Sequence, residues 1–246
     1  MSIETLQIHL NSEDAIKSYS SGNNYLEFNL KYFEIPSDHT IYLSVDHAVL
    51  PYSFYNVNST NNTLCYVLNG SVVNVTFPIG NYTTTTLLNM LKSLITTLII
   101  SYSATTNKFT FSHSTLNFSF LNTFSTCFKL LGFSLNDQIS SSNILISNGI
   151  VNLCSTRCIC VHSTFRTDNI STSSALNSSI ICSIPINVSP YSLITYSNHS
   201  NFKINLHTNI FNSVVIKLMD QNGQPIDFNN SPWSIVLQLD IVDFVN

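Results

Sequence analysis

Over most of this chain apolar and polar residues alternate with a period of two, in short runs separated by turn residues. Leu26-Glu-Phe-Asn-Leu-Lys-Tyr and Ile41-Tyr-Leu-Ser-Val-Asp-His-Ala-Val-Leu both alternate as a strand does when one face is buried. Leu64–Leu68 and Val72–Phe77 predict further strands, and Cys158–His162, Ser179–Asn187, Phe202–His207, Val214–Met219 and Trp233–Val242 extend the series. Turn residues bound the early runs: Ser21-Gly-Asn-Asn, Pro36-Ser-Asp-His, Asn58-Ser-Thr-Asn-Asn and Asn69-Gly-Ser. Strands this closely spaced point to a sandwich or barrel rather than to βαβ units. Asp220-Gln-Asn-Gly-Gln-Pro predicts a turn joining the last two strands as a hairpin. The lone Trp233 reads as a core anchor at the start of the last strand.

Residues 78–133 break the pattern. After Pro78-Ile-Gly-Asn-Tyr and a threonine run come Leu87, Leu91, Leu94 and Leu98, spaced as one helical face behind a Thr cap. Ile99-Ile-Ser-Tyr and Lys108-Phe-Thr-Phe-Ser flank Ala104-Thr-Thr-Asn as a hairpin. A second helix is predicted through Phe124-Ser-Thr-Cys-Phe-Lys-Leu-Leu, stopping at Gly132. Together they predict a helix–hairpin–helix α+β unit set inside a β chain. Residues 134–150, rich in Ser and Asn, predict an exposed loop.

Composition narrows the function. The 246 residues carry 9 Lys+Arg and 13 Asp+Glu, so 9% are charged, where an ordinary domain has about 25%. Ser, Thr and Asn fill about 90 positions instead. With 44% hydrophobic residues and a net charge of −4 the chain is not disordered. Nine scattered cations do not make the patch that phosphate neutralisation requires, so no direct nucleic-acid partner is expected. A chain this long buries about 70–75% of its unfolded surface without disulfide staples. Met1-Ser-Ile-Glu-Thr-Leu has neither a basic start nor an apolar run, so no signal peptide is expected and the protein is predicted to stay inside the cell that makes it. Leu87–Ile100 is interrupted by Asn89, Lys92 and Thr96-Thr97 and is too short to span a bilayer. Eleven Asn-x-Ser/Thr sequons, Asn58 and Asn81 among them, barely exceed the roughly eight that composition predicts.

Reactive groups do not converge in the sequence. Cys158, Cys160 and His162 would share one face of a strand, which gives a weak candidate metal site. Their spacing matches no usual zinc pair, and core packing is the preferred reading, as it is for Cys65 and Cys127. Cys154 and Cys182 lie nearby in sequence. The seven histidines, His9, His39, His47, His113, His162, His199 and His207, never pair as a metal motif needs, and no Glu follows Glu34 to complete a cupin-like centre. Glu13/Asp14 and Asp240/Asp243 are the only close carboxylates for glycosidase-type chemistry. No catalytic residue and no cofactor is predicted, and the chain is read as not an enzyme. A surface of Ser, Thr and Asn does suit interfaces, because little charge has to be desolvated when it packs.

The order of segments resembles a known family. Leu50-Pro-Tyr-Ser-Phe-Tyr-Asn-Val-Asn, Phe77-Pro-Ile-Gly-Asn-Tyr with its leucine helix, Ile100-Ser-Tyr-Ser-Ala-Thr-Thr-Asn-Lys-Phe-Thr-Phe and Leu130-Leu-Gly-Phe come in that order. Ile216-Lys-Leu-Met-Asp-Gln-Asn-Gly-Gln-Pro-Ile-Asp-Phe and Trp233-Ser-Ile-Val-Leu follow. Together they resemble the penton-type minor capsid proteins of virophages, Polinton-like viruses and related double-stranded DNA viruses. The resemblance implies a mainly β fold, a single jelly-roll β-sandwich with a small inserted α+β domain. The boundaries it suggests are 1–70 and 150–246 for the shell domain and 71–149 for the insertion. It also implies a homopentamer at icosahedral vertices, a double jelly-roll major capsid protein as partner, and a place in the virion, assembled inside the host cell. The interface residues are left open. The alternatives are another minor capsid (cement) role or a receptor- or glycan-binding β-sandwich for virion attachment. That last reading would use Tyr52, Phe54 and Tyr55 as aromatic platforms and a host receptor as partner.

Overall fold

A computed structural model describes residues 2–165, 170–171, 174–177 and 179–243. The chain opens with β1 (Ser2–Asn11), β2 (Lys17–Ser18), β3 (Tyr25–Glu34) and β4 (Thr40–Pro51). It continues with β5 (Thr63–Leu68), β6 (Ser71–Thr76), α1 (Thr84–Leu94), β7 (Ile99–Ser103), β8 (Lys108–Ser112), β9 (Phe118–Phe120), α2 (Phe128–Leu131), β10 (Gln138–Ile139) and β11 (Ile144–Ile146). Then come β12 (Cys158–Ser163), β13 (Ile170–Ser171), β14 (Ser174–Asn177), β15 (Ile180–Pro185), β16 (Leu193–Ser197), β17 (Ile204–Leu206), β18 (Ile210–Asp220) and β19 (Ser234–Asp243). Two compact units result, Met1–Phe54 with Thr156–Asn246, and Tyr55–Ser155.

The first unit is a sandwich of two antiparallel sheets. One runs β1-β19-β4-β16, with β17 on the same edge of β4 as β16, and the other β15-β12-β18-β3-β2. With β1, β3, β4, β12, β15, β16/β17, β18 and β19 counted as one to eight, the sheets read 1-8-3-6 and 5-4-7-2. That order is the jelly roll, and the second unit is inserted between its third and fourth strands. Alternation sets the inner faces: Ile235, Leu237 and Leu239 of β19 and Leu43 and Leu50 of β4, neighbours in one sheet, are fully buried in one core with Ile159 and Val161 of β12 and Val214, Ile216 and Leu218 of β18 from the other. Each such side chain contributes about 1.5–3 kcal/mol of apolar burial. Trp233 is buried, as its reading as an anchor requires: its ring meets Phe28 edge-on at 5.9 Å and its Nε1–H donates to the Asn23 carbonyl at 2.6 Å.

The second unit has two small sheets, β10-β9-β5-β6 and β11-β8-β7, and the helix α1. Asn69-Gly70, both at positive φ, make the two-residue β5–β6 turn. Thr83 caps α1 through a capping box with Thr86. The core gathers Leu87, Leu91, Phe109, Phe111, Phe120 and Phe128, with Phe111 and Phe120 edge-to-face at 4.9 Å.

Five expectations are corrected. β18 and β19 are not a hairpin: both edges of β18 are already taken by β12 and β3, so after the Asp220 turn the chain crosses to the other sheet. The helix ends at Leu94, which is exposed, and Ile95 and Leu98 complete its buried side from the following turn. Residues 134–150 are not a loop, because β10 and β11 add edge strands there. The Phe118 and Phe109 amides donate to the hydroxyl oxygens of Ser140 and Ser147, both buried. The unit boundaries fall at 54/55 and 155/156 rather than 70/71 and 149/150, because β5 pairs with β6 and β9 and so belongs to the insertion. Finally β1, absent from the sequence expectation, pairs with β19 along its whole length.

Gly132 ends α2 at φ 80°, and a Cβ there would sit 2.5 Å from the Ile150 carbonyl oxygen. Gly70 has a similar φ of 77° but open space around it. Gly132→Ala should therefore cost about 3 kcal/mol of stability against about 1 kcal/mol for Gly70→Ala. Equal losses in denaturant titrations would contradict this account of the close approach at Gly132.

Candidate assembly surfaces

The candidate metal ligands do share a face. Ile159 and Val161 point into the core, so Cys158, Cys160 and His162 stand on the opposite side of β12. His162 Nδ1 lies 2.9 Å from Ser179 Oγ, and burial together with the Lys217 charge holds its pKa down. Burial, and then the neighbouring Cys158, push the Cys160 thiol up to about 11. Among the described residues no three His, Cys, Asp or Glu side chains are placed to hold one ion. Cys182 packs against the sandwich core, while Cys65 and Cys127 are buried in the second unit. Cys154 is exposed. Alkylation at pH 8 should therefore modify Cys154 at least about 100-fold faster than Cys160 or Cys127, since the thiolate is the reactive form. Mass-spectrometric mapping that found Cys160 equally fast would overturn this ordering.

The other sequence candidates separate as well. Asp240 and Asp243 are an odd number of residues apart on one strand, so they face opposite sides of it. Glu13 and Asp14 are exposed on a 3-10 turn after β1. Tyr52 and Phe54 are no platform: both are buried, stacked on each other at 4.4 Å, with Phe54 edge-on to the buried Phe228. Tyr55 is half-buried. The Asn81 side-chain nitrogen, which a glycan would need, is also buried.

On the outer face of the first sheet, Asp240 forms a charged cluster that sequence reasoning missed. Lys203 Nζ reaches its Oδ2 at 2.7 Å, Thr5 Oγ1 donates to Oδ1 at 2.8 Å, and Gln238 Nε2 donates at 3.0 Å. Burial opposes ionisation of Asp240, but these three partners outweigh it and hold the carboxyl below its ordinary 3.8. The contribution is present at neutral pH and disappears as pH falls through the lowered value. Lys203→Met should cost about 2 kcal/mol at pH 7 by leaving a buried carboxylate without its cation. The difference from wild type should shrink below about pH 4 as the carboxyl protonates. A gap independent of pH would show that the lysine acts through packing alone.

Two kinds of surface remain. In the second unit the outer face of β11-β8-β7 carries Ile144, Ser112 and Ile99 in one row and Ile146, Thr110 and Ser101 in the next. The three isoleucines are exposed, and the whole unit, residues 55–155, holds only Lys92, Lys108, Lys129 and Asp137 as charges. In the first unit, among the described residues, β1 pairs with β19 alone and β16 and β17 with β4 alone, at opposite ends of one sheet. Beside β1 lies a cleft of about 560 Å³ lined by Leu6, Ile8, Leu30, Phe33 and Ile35, with exposed Glu4, Lys31 and Glu34 among its lining residues. β3 bulges there, setting Leu30–Tyr32 opposite Asn212 alone.

The first unit is thus a jelly roll, interrupted after its third strand by an α+β unit. The crystal structure of the mavirus penton protein matches over 98% of this chain and 100% of its own, with TM-score 0.53 and 11% identity. The Sputnik virophage structure determined by electron cryomicroscopy matches over 98% of both chains, with TM-score 0.48 and 11% identity. At such identity the likeness defines the fold. No protein-family model and no curated protein sequence matches the chain.

Proposed function

We propose that the chain is a structural virion protein, a penton or minor capsid subunit whose homopentamer closes an icosahedral vertex. The observation that carries this reading is the end-to-end likeness to the mavirus penton protein, which spans both units of this chain. The uncharged outer faces fit it, because Ser, Thr and Ile rows pack against neighbours with little desolvation cost. The mechanism is geometric. Identical subunits related by rotation form heterologous contacts, and the ring closes when the rotation does. The remaining shell would be a different protein, a double jelly-roll major capsid protein, and the ring would dock into it inside the host cell. No chemistry is required of the chain. With Tyr52 and Phe54 inside the sandwich, the aromatic-platform version of a receptor- or glycan-binding role has no surface to use.

Native mass spectrometry of the purified protein should give a species of five chains at micromolar concentration. A monomer at all concentrations, absent from purified particles, would overturn the proposal.

A further inference from the structure

The Ser12 amide donates to the Trp233 carbonyl at 2.9 Å, which extends the β1–β19 register by one pair and fixes its phase. Bonded and non-bonded pairs alternate along an antiparallel ladder, so the even-numbered residues of β1 bond to β19. The N–H and C=O groups of Ile3, Thr5, Gln7 and His9 point the other way, and among the described residues no strand pairs with them. Open edges are normally blunted by shortness, lysine, proline or a bulge. The ends of the other sheet follow that rule: β2 is two residues long and includes Lys17, and β15 bulges against β12 and closes on Pro185. β1 runs for ten residues with no bulge, no lysine and no proline.

The cleft opens beside this edge. Leu6 shares a face of β1 with Ile8 and Leu10, yet it is 36% exposed against their 8% and 3%. The sandwich core is therefore uncovered between Leu6 and the half-buried Leu30 and Phe33 of β3. At about 560 Å³ the space is in the range of ligand-binding clefts. Its charge is one-sided. Glu4, on the same face as Leu6, makes no ion pair among the described residues, and Glu34 also lines the cleft, with Lys31 as the opposing cation.

We propose that the β1 edge and its cleft receive an extended segment of a partner protein, paired antiparallel with β1. The segment's inward side chains are apolar beside Ile8 and Leu6, and a lysine or arginine beside Glu4. Main-chain hydrogen bonds to Ile3, Thr5, Gln7 and His9 supply affinity, and the cleft selects the alternate side chains. A small amphiphile could fill the cleft, but it would leave that row of backbone groups without partners, so the edge favours a peptide. The contact does not depend on the homopentamer proposed above.

A synthetic peptide tests this, with the sequence threonine-valine-threonine-valine-threonine-lysine-threonine. N-methylation of its valines and lysine keeps it from stacking on itself and leaves the threonine amides free for β1. Binding to the full chain should slow amide exchange at Ile3, Thr5, Gln7 and His9 and not at the even-numbered residues between them. Moving the methyl groups to the threonines allows only the register that turns the valines away from the cleft, and should weaken binding at least about tenfold. Glu4→Lys, at an exposed position, should reverse the preference for the lysine peptide over its glutamate analogue. Three results would each overturn the proposal and leave the capsid reading untouched. One is no binding of the peptide, and another is binding without protection of those four amides. The third is protection of β1 without peptide that grows with protein concentration, which would make the occupant a second copy of this chain.

Discussion

Strand β19, from the end of the chain, lies between β1 and β4, from its beginning, and is paired along both edges. The registers run unbroken from Ser2 opposite Asp243 to Asn11 opposite Ser234, and from Thr40 opposite Val242 to Val49 opposite Ser234 with one bulge. The sheet therefore cannot form until residues 234–243 join strands more than 180 residues earlier, bringing Ile235, Leu237 and Leu239 to its buried face. Contacts of such sequence separation fold slowly, because the loop must close before the pairing is gained. Closure entropy grows only logarithmically with loop length, however, so the sandwich tolerates the insertion of residues 55–155 at modest cost.

The scarcity of charge has an internal counterpart. Buried backbone amides that lack a ladder partner take neutral side chains instead. Ser12 accepts from the Trp233 amide, Ser125 from Cys65, Ser140 from Phe118 and Ser147 from Phe109. Asn62 donates to the Phe77 carbonyl from a buried position. These groups satisfy the backbone without the desolvation penalty of an ion. Part of the Ser, Thr and Asn excess thus closes sheet edges from within, and only the rest covers outer faces. The charges are unevenly placed as well, with 12 of the 13 carboxylates outside residues 55–155. On an outer sheet face the half-buried Lys203 covers the buried Asp240 and ties the segment between β16 and β17 to β19.

What could be read from the sequence was local. Period-two runs located β3, β4, β12 and β18, and leucine spacing located α1, because each depends on neighbours a few residues away. Turn chemistry misled where topology overrides it: the Asp220 turn exists, with Asp220 accepting from the Asn222 and Gln224 amides, yet the strand after it joins the other sheet. The shared face of Cys158, Cys160 and His162 also followed from the period alone. The order of strands in the sheet did not, because it is set by pairings 100 or more residues apart. Leu6, Ile8 and Leu10 alternate plainly enough to mark β1, but only the pairing with β19 makes it an edge.

The central claim is that this jelly roll sits at the five-fold positions of a capsid. Electron cryomicroscopy of purified particles tests it most directly. The account predicts vertex density that fits five copies of this chain. Vertex density that this fold cannot fit, or this chain found only elsewhere in the particle, would contradict it.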